Sequence, residues 1–135
     1  MAPSNERVYT KPLIDKLGVA PDSRVALVGD FSKDFPELLR GRTTAIQDGV
    51  PSESVDLIFL SADSLEELSV LPTLRNKIVN NGAVWIVSRK GKQATIRDTD
   101  VIAASIDAGL VDNKVVSFSD THTALRAVIR VRDRK

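Results

Sequence analysis

The segment Arg24-Val-Ala-Leu-Val-Gly29 constrains the fold of this chain more than any other. An unbroken apolar run ending at glycine reads as a buried strand that runs into a turn. In an α/β domain that holds a nucleotide, a glycine-rich loop follows such a strand, and its backbone N–H groups cradle phosphates. Here the chain continues Asp30-Phe31-Ser32-Lys33-Asp34-Phe35, with bulky side chains and carboxylates where glycines would stand. The sequence therefore predicts a cofactor-type scaffold without the usual phosphate grip.

The remaining segments extend that scaffold. Pro12, Leu13, Ile14, Leu17 and Gly18 predict a short helix over 10–18. A helix over 34–40 presents Phe35, Leu38 and Leu39 to the core, and a second strand is expected at 43–46. Val55-Asp-Leu-Ile-Phe-Leu60 is apolar at nearly every position, as in a strand covered on both faces. Asp63-Ser-Leu-Glu66 matches a capping box, with Asp63 as the cap. Leu65, Leu68, Leu71, Leu74 and Ile78 follow at helical spacing, interrupted by Pro72, which predicts a kink or two short helices. Asn80-Asn81-Gly82 reads as the closing turn and residues 83–87 as the fourth strand. A helix capped by Asp98 or Thr99 runs to about 108. Strands are expected from 111 or 114 to 118 and from 123 to 131, joined by the hairpin Ser119-Asp120-Thr121-His122.

Strands alternating with helices, then a hairpin, define the fold class. It is α/β and three-layered, with a mostly parallel Rossmann-like sheet of about six strands ending in an antiparallel hairpin. This pattern resembles the S-adenosylmethionine-dependent methyltransferase fold, shortened because residues 47–54 leave no room for the helix, strand and helix inserted there in the full fold. The chain also resembles a bacterial family of uncharacterised domains. That resemblance rests on Pro12-Leu-Ile-Asp-Lys-Leu-Gly18, Arg24-Val-Ala-Leu-Val-Gly29, Val55-Asp-Leu-Ile-Phe-Leu60, Leu65-Glu-Glu-Leu68, Gly82-Ala-Val-Trp-Ile-Val87 and Gly109-Leu-Val-Asp-Asn-Lys-Val115. It implies a compact Rossmann-like fold and brings no activity with it.

Composition narrows the function classes. A length of 135 residues suits one domain, read as residues 10–135 behind a flexible tail at 1–9. A formal net charge of +1 gives no global attraction to nucleic acid or to an anionic membrane. Cysteine is absent, which removes disulfides, thiolate metal sites and cysteine nucleophiles and suits a reducing cytoplasm. A single histidine leaves no polyhistidine metal site within one chain. No apolar run approaches the roughly 20 residues of a membrane helix, and the first residues hold no apolar signal core. The expected location is the cytoplasm, with no membrane partner.

Ligands of open α/β sheets bind beyond the carboxyl ends of the strands. That rule selects Gly29 and Asp30, Asp48, Ser61 and Asp63, and the loop holding Arg89, Lys90 and Lys92 as tentative ligand-binding residues. Asp30 opposes an anion after the first strand. Asp48 stands where the resemblance places an acidic residue on a ribose diol, but it also begins an Asp-Gly turn. Arg89, Lys90 and Lys92 lie before a helix N-terminus, an arrangement that attracts anions. His122 reads as hairpin surface, Trp85 as core, and Arg126, Arg130 and Arg132 as charges protecting a sheet edge. The reading these residues favour is a non-catalytic module for a small anionic metabolite, with no catalytic residue or metal assigned. The absent glycine-rich loop argues against S-adenosylmethionine as cofactor. The alternatives are a methyltransferase with an eroded motif, and a homodimer pairing through Val116, Phe118 and the final strand.

Overall fold

The computed structural model describes residues 11–135; the tail expected at 1–9 lies outside them. In chain order the elements are α1 (Leu13–Lys16), β1 (Val25–Val28), α2 (Asp34–Arg40), β2 (Ile46–Asp48), β3 (Val55–Ser61), α3 (Leu65–Leu68), α4 (Leu71–Arg75), β4 (Ile78–Arg89), α5 (Asp98–Asp107), β5 (Leu110–Ser117) and β6 (His122–Ile129). The six strands form one sheet in the order β2-β1-β3-β4-β6-β5. The first four in that order run parallel. β6 lies antiparallel between β4 and β5. This is the three-layer, shortened α/β architecture that the sequence predicts.

Burial explains the apolar strands. On one face of the sheet, Val25, Leu27, Phe59 and Trp85 pack with Ile14, Leu17, Phe35 and Leu39, so α1 and α2 cover it. On the other, Ala26, Ile58, Leu60, Val84 and Ile86 pack with Leu68, Leu71, Leu74 and Val101, so α3, α4 and α5 cover it. Both sets of strand residues are withdrawn from water, the main stabilising term of such a core. Pro72 starts a helix instead of kinking one. It is the second residue of α4, where a missing N–H breaks no intrahelical bond.

Several local expectations are corrected. The second strand sits at Ile46–Asp48, because Thr43 is drawn into a turn: its Oγ1 donates to Ser23 O at 2.7 Å and accepts from Ala45 N at 3.3 Å. Asn80, Asn81 and Gly82 lie inside β4, at a register shift where Val55 pairs with Ile78 and Leu57 with Ala83. A Cβ on Gly82 would come within 2.7 Å of Asp56 O, so this irregularity needs glycine. β6 is interior, which removes edge protection as the role of Arg126 and leaves the final strand no free side for pairing with a second copy. The edges are β2 and β5, and β5 carries an irregularity between Asp112 and Lys114 that blunts it. Among the described residues, no helix is long and apolar enough to cross a membrane.

Candidate functional site

The carboxyl ends of β1, β3 and β4 and the β5–β6 hairpin surround a cleft of about 440 Å³. Its apolar wall includes Leu13, Phe31, Leu38, Val87 and Phe118. Its polar rim holds Asp30, Asp34, Ser61, Ser119, Thr121 and His122. The wall is built from both ends of the chain. Phe35 meets Phe118 edge-on at 4.8 Å between ring centroids and Phe59 at 4.9 Å, and Phe31 lies 5.3 Å from Phe35. Edge-to-face contacts of this kind favour one fixed arrangement of rings. They hold the hairpin against the start of α2.

Gly29 sets the cleft floor by close approach. Its φ is +94°, and a Cβ there would lie 2.8 Å from Ser61 O. The ends of β1 and β3 could not come this near with any side chain at that position. Asp48 ends β2 beside Leu27 and is exposed. The following N–H, from Gly49, donates to Leu27 O at 2.7 Å. Asp48 is not among the residues lining the cleft.

Asp63 acts differently from the expectation. The capping box is displaced by one residue: Ser64 Oγ accepts from Glu67 N at 3.0 Å, and Glu67 Oε1 accepts from Asp63 N at 2.8 Å. This frees the Asp63 carboxylate to accept from Arg89 N at 2.8 Å, with Arg89 Nε 3.8 Å away. The hydroxyl of Thr95 donates to Asp63 O. The loops after β3 and β4 are thus clasped together.

That clasp takes apart the expected cationic cluster. Arg89 faces Asp63, Lys90 Nζ donates to Ser117 Oγ at 2.7 Å, and Lys92 stands exposed in the turn Gly91–Gln93. None of the three lines the cleft. The start of α5 carries its own carboxylates, Asp98 and Asp100, and Asp100 Oδ2 accepts from Arg97 N at 2.9 Å. Asp98 and Thr99 lie inside the helix, which begins behind Arg97. The helix end expected to attract an anion is therefore already supplied with negative charge.

Of the predicted positions, the structure gathers Asp30 and Ser61 into the cleft and sets Gly29 beneath it. Sequence reasoning missed Phe31, Phe118, Ser119, Thr121 and the placement of His122. His122 is half-buried; its Nδ1 is 2.7 Å from Thr121 Oγ1, and its N–H donates to Ser119 Oγ at 3.1 Å. The available signal was the hairpin itself, which an antiparallel end to a parallel sheet must bring back toward the carboxyl edge. Among the described residues, no group of three or more His, Cys, Asp or Glu could hold a metal ion.

Similarity to known proteins lies in the fold. No family model matches the chain, and no curated protein matches it. A candidate type 11 methyltransferase from Sulfolobus solfataricus superposes with a TM-score of 0.67 at 13% identity, covering 96% of this chain and 95% of that one. Fibrillarin from Aeropyrum pernix, in complex with natively bound S-adenosyl-L-methionine, gives 0.56 at 16% identity, covering 83% and 69%. An O-methyltransferase of neocarzinostatin biosynthesis, in complex with S-adenosyl-L-homocysteine and 1,4-dihydroxy-2-naphthoic acid, gives 0.59 at 13% identity, covering 79% of this chain and 49% of its own. This chain thus spans about half the length of that enzyme. The class defined is the methyltransferase-like Rossmann fold. The expectation that the absent glycine-rich loop argues against S-adenosylmethionine is overturned, because structures of this fold hold that cofactor or its product.

Proposed function

We propose that this chain is a reduced S-adenosylmethionine-dependent methyltransferase domain whose cofactor and methyl acceptor share the cleft at the carboxyl edge of the sheet. One observation carries the reading: among the described residues, the cleft is lined by aromatic rings and carboxylates and by no lysine or arginine. Such a site suits a ligand with positive charge and an apolar body. It disfavours the anionic metabolite that the sequence led us to expect, since Asp30 and Asp34 would repel it. Its volume falls within the roughly 300–1,000 Å³ of small-molecule sites.

When bound, the cofactor supplies a methyl group activated on a positively charged sulfur. Asp30 and Asp34 favour that charge. Phe31 and Phe118 exclude water. Asp48 lies outside the cleft, at the end of the neighbouring strand β2, so it accepts from ribose hydroxyls only if the bound cofactor extends past the cleft rim. His122, with Nδ1 engaged by Thr121, keeps Nε2 to take a proton from a hydroxyl or amine acceptor. Gly29 serves the scaffold through its approach to Ser61, so the reading needs no glycine-rich phosphate loop.

Isothermal titration calorimetry with S-adenosylmethionine and S-adenosylhomocysteine tests this. Saturable heats are expected, and Asp30→Asn weakens the charged cofactor by up to about tenfold, or ~1.4 kcal/mol. Absence of heat with either compound at millimolar concentration ends the proposal.

A further inference from the structure

A second pocket, of about 180 Å³, lies beside α1 and shares no lining residue with the cleft. It has the space of roughly six water molecules. Its lining includes Lys16, Lys114, Arg126 and the edge of Trp85. The sheet register brings these together. Arg126 on β6 is paired with Trp85 on β4 and with Lys114 on β5, so all three project from the same face. The indole is fixed there, with Nε1 donating to Leu17 O at 3.2 Å and its ring stacked over Phe59. Lys114 reaches from β5 to α1, where its Nζ donates to Lys16 O at 3.1 Å.

Among the described residues, the charges of this pocket are not balanced from within. Its carboxylate, Asp15, is taken by Arg42, with Nη2 2.7 Å from Oδ1. Arg126 is half-buried and, among the described residues, has no carboxylate within 4.0 Å. Burial and the positive charge of Arg134 hold its pKa below the ordinary guanidinium value. A partly desolvated cation beside further cations is costly unless an anion joins it.

We propose that this pocket binds a phosphate-type oxyanion between Arg126 and Lys114. A guanidinium presents a planar fork of donors to such a group, and the adjacent ammonium supplies a further donor from the next strand. The fixed indole forms the back wall and keeps Arg126 from folding inward. This proposal is independent of the methyltransferase reading.

Nuclear magnetic resonance of the full chain, titrated with inorganic phosphate at constant ionic strength, decides it. The Arg126 Nε–H, the Trp85 indole N–H and the Gly18 amide are expected to shift along a saturating curve. Arg126→Gln, checked for folding by circular dichroism, and Lys114→Gln each weaken the apparent affinity by about tenfold or more. Lys92→Gln leaves it unchanged. A linear, unsaturating response in the wild type overturns the proposal, whether or not Arg126→Gln folds. So does an equal response in Lys114→Gln. If Glu6→Gln moves the Arg126 signal before any phosphate is added, a carboxylate of the chain itself already fills the site, and the proposal falls.

Discussion

The cleft and the smaller pocket lie on the same side of the sheet with α1 between them. Leu13 faces the cleft, whereas Asp15, Lys16 and Leu17 face the pocket. Their chemistry is opposite: carboxylates and hydroxyls rim the first, lysines and an arginine the second. The difference comes from how each is assembled. The cleft is made by segments that leave the strands, so its character is set by turn residues such as Gly29 and Asp30. The pocket sets α1 and the turn after it against strand residues, and among the latter cross-strand pairing decides which side chains meet. One short helix therefore separates a surface suited to cations from one suited to anions.

The sharpest way to break this contrast is through the wall behind the pocket. Trp85 is almost fully buried and bonded to Leu17 O. Trp85→Ala is expected to cost about 3–5 kcal/mol in urea denaturation. A cost below about 1 kcal/mol would mean that the indole is not the fixed support described above. The next effect belongs to the cleft floor. Gly29→Ala forces a side chain into a positive-φ position and against Ser61 O. It should cost roughly 1–3 kcal/mol and weaken S-adenosylmethionine in calorimetry while sparing the phosphate response. Loss of both responses together would show that the two regions are not separate.

The smallest effect lies at the amino edge of the sheet, away from both. There the Arg24 backbone N–H and Nε donate to Asp56 Oδ2 at 2.8 and 3.1 Å. The Arg24 side chain, foremost by hydrogen bonding, holds the Asp56 carboxyl below its ordinary value. The resulting stabilisation is fully present at neutral pH, above the ordinary carboxylate pKa of about 3.9. It is lost as pH falls through the lowered folded-state value. Arg24 is exposed and the Asp56 side chain is 34% exposed, so Asp56→Asn should cost less than about 1 kcal/mol at pH 7. The gap from wild type in urea denaturation should narrow as pH falls below the ordinary carboxylate range. A gap that persists in acid would assign the effect to side-chain shape instead of charge.

The strands were legible because burial on both faces leaves an apolar run that no exposed segment shows. Val55-Asp-Leu-Ile-Phe-Leu60 appears in the sheet almost as read. The carboxyl-edge rule also found Asp30 and Ser61. Arg89, Lys90 and Lys92 are adjacent along the chain without converging in space, and the one-residue displacement of the capping box leaves the Asp63 carboxylate to Arg89. Arg126 was hidden for a different reason. Nothing local in the sequence tells that the last strand is inserted between two others, so an interior arginine looked like an edge one. Phe118 and His122 were obscured in the same way, since their approach to Phe31 and Phe35 follows from strand order.

The clasp between Asp63 and Arg89 ties together the loops after β3 and β4, two residues past the Ser61 and Val87 that line the cleft. The β5–β6 hairpin is tied to the same loop, since Lys90 N donates to Thr121 O at 3.0 Å and Lys90 Nζ to Ser117 Oγ at 2.7 Å. The rim of the cleft is therefore a linked frame, in which one loop cannot swing aside without pulling on its neighbour.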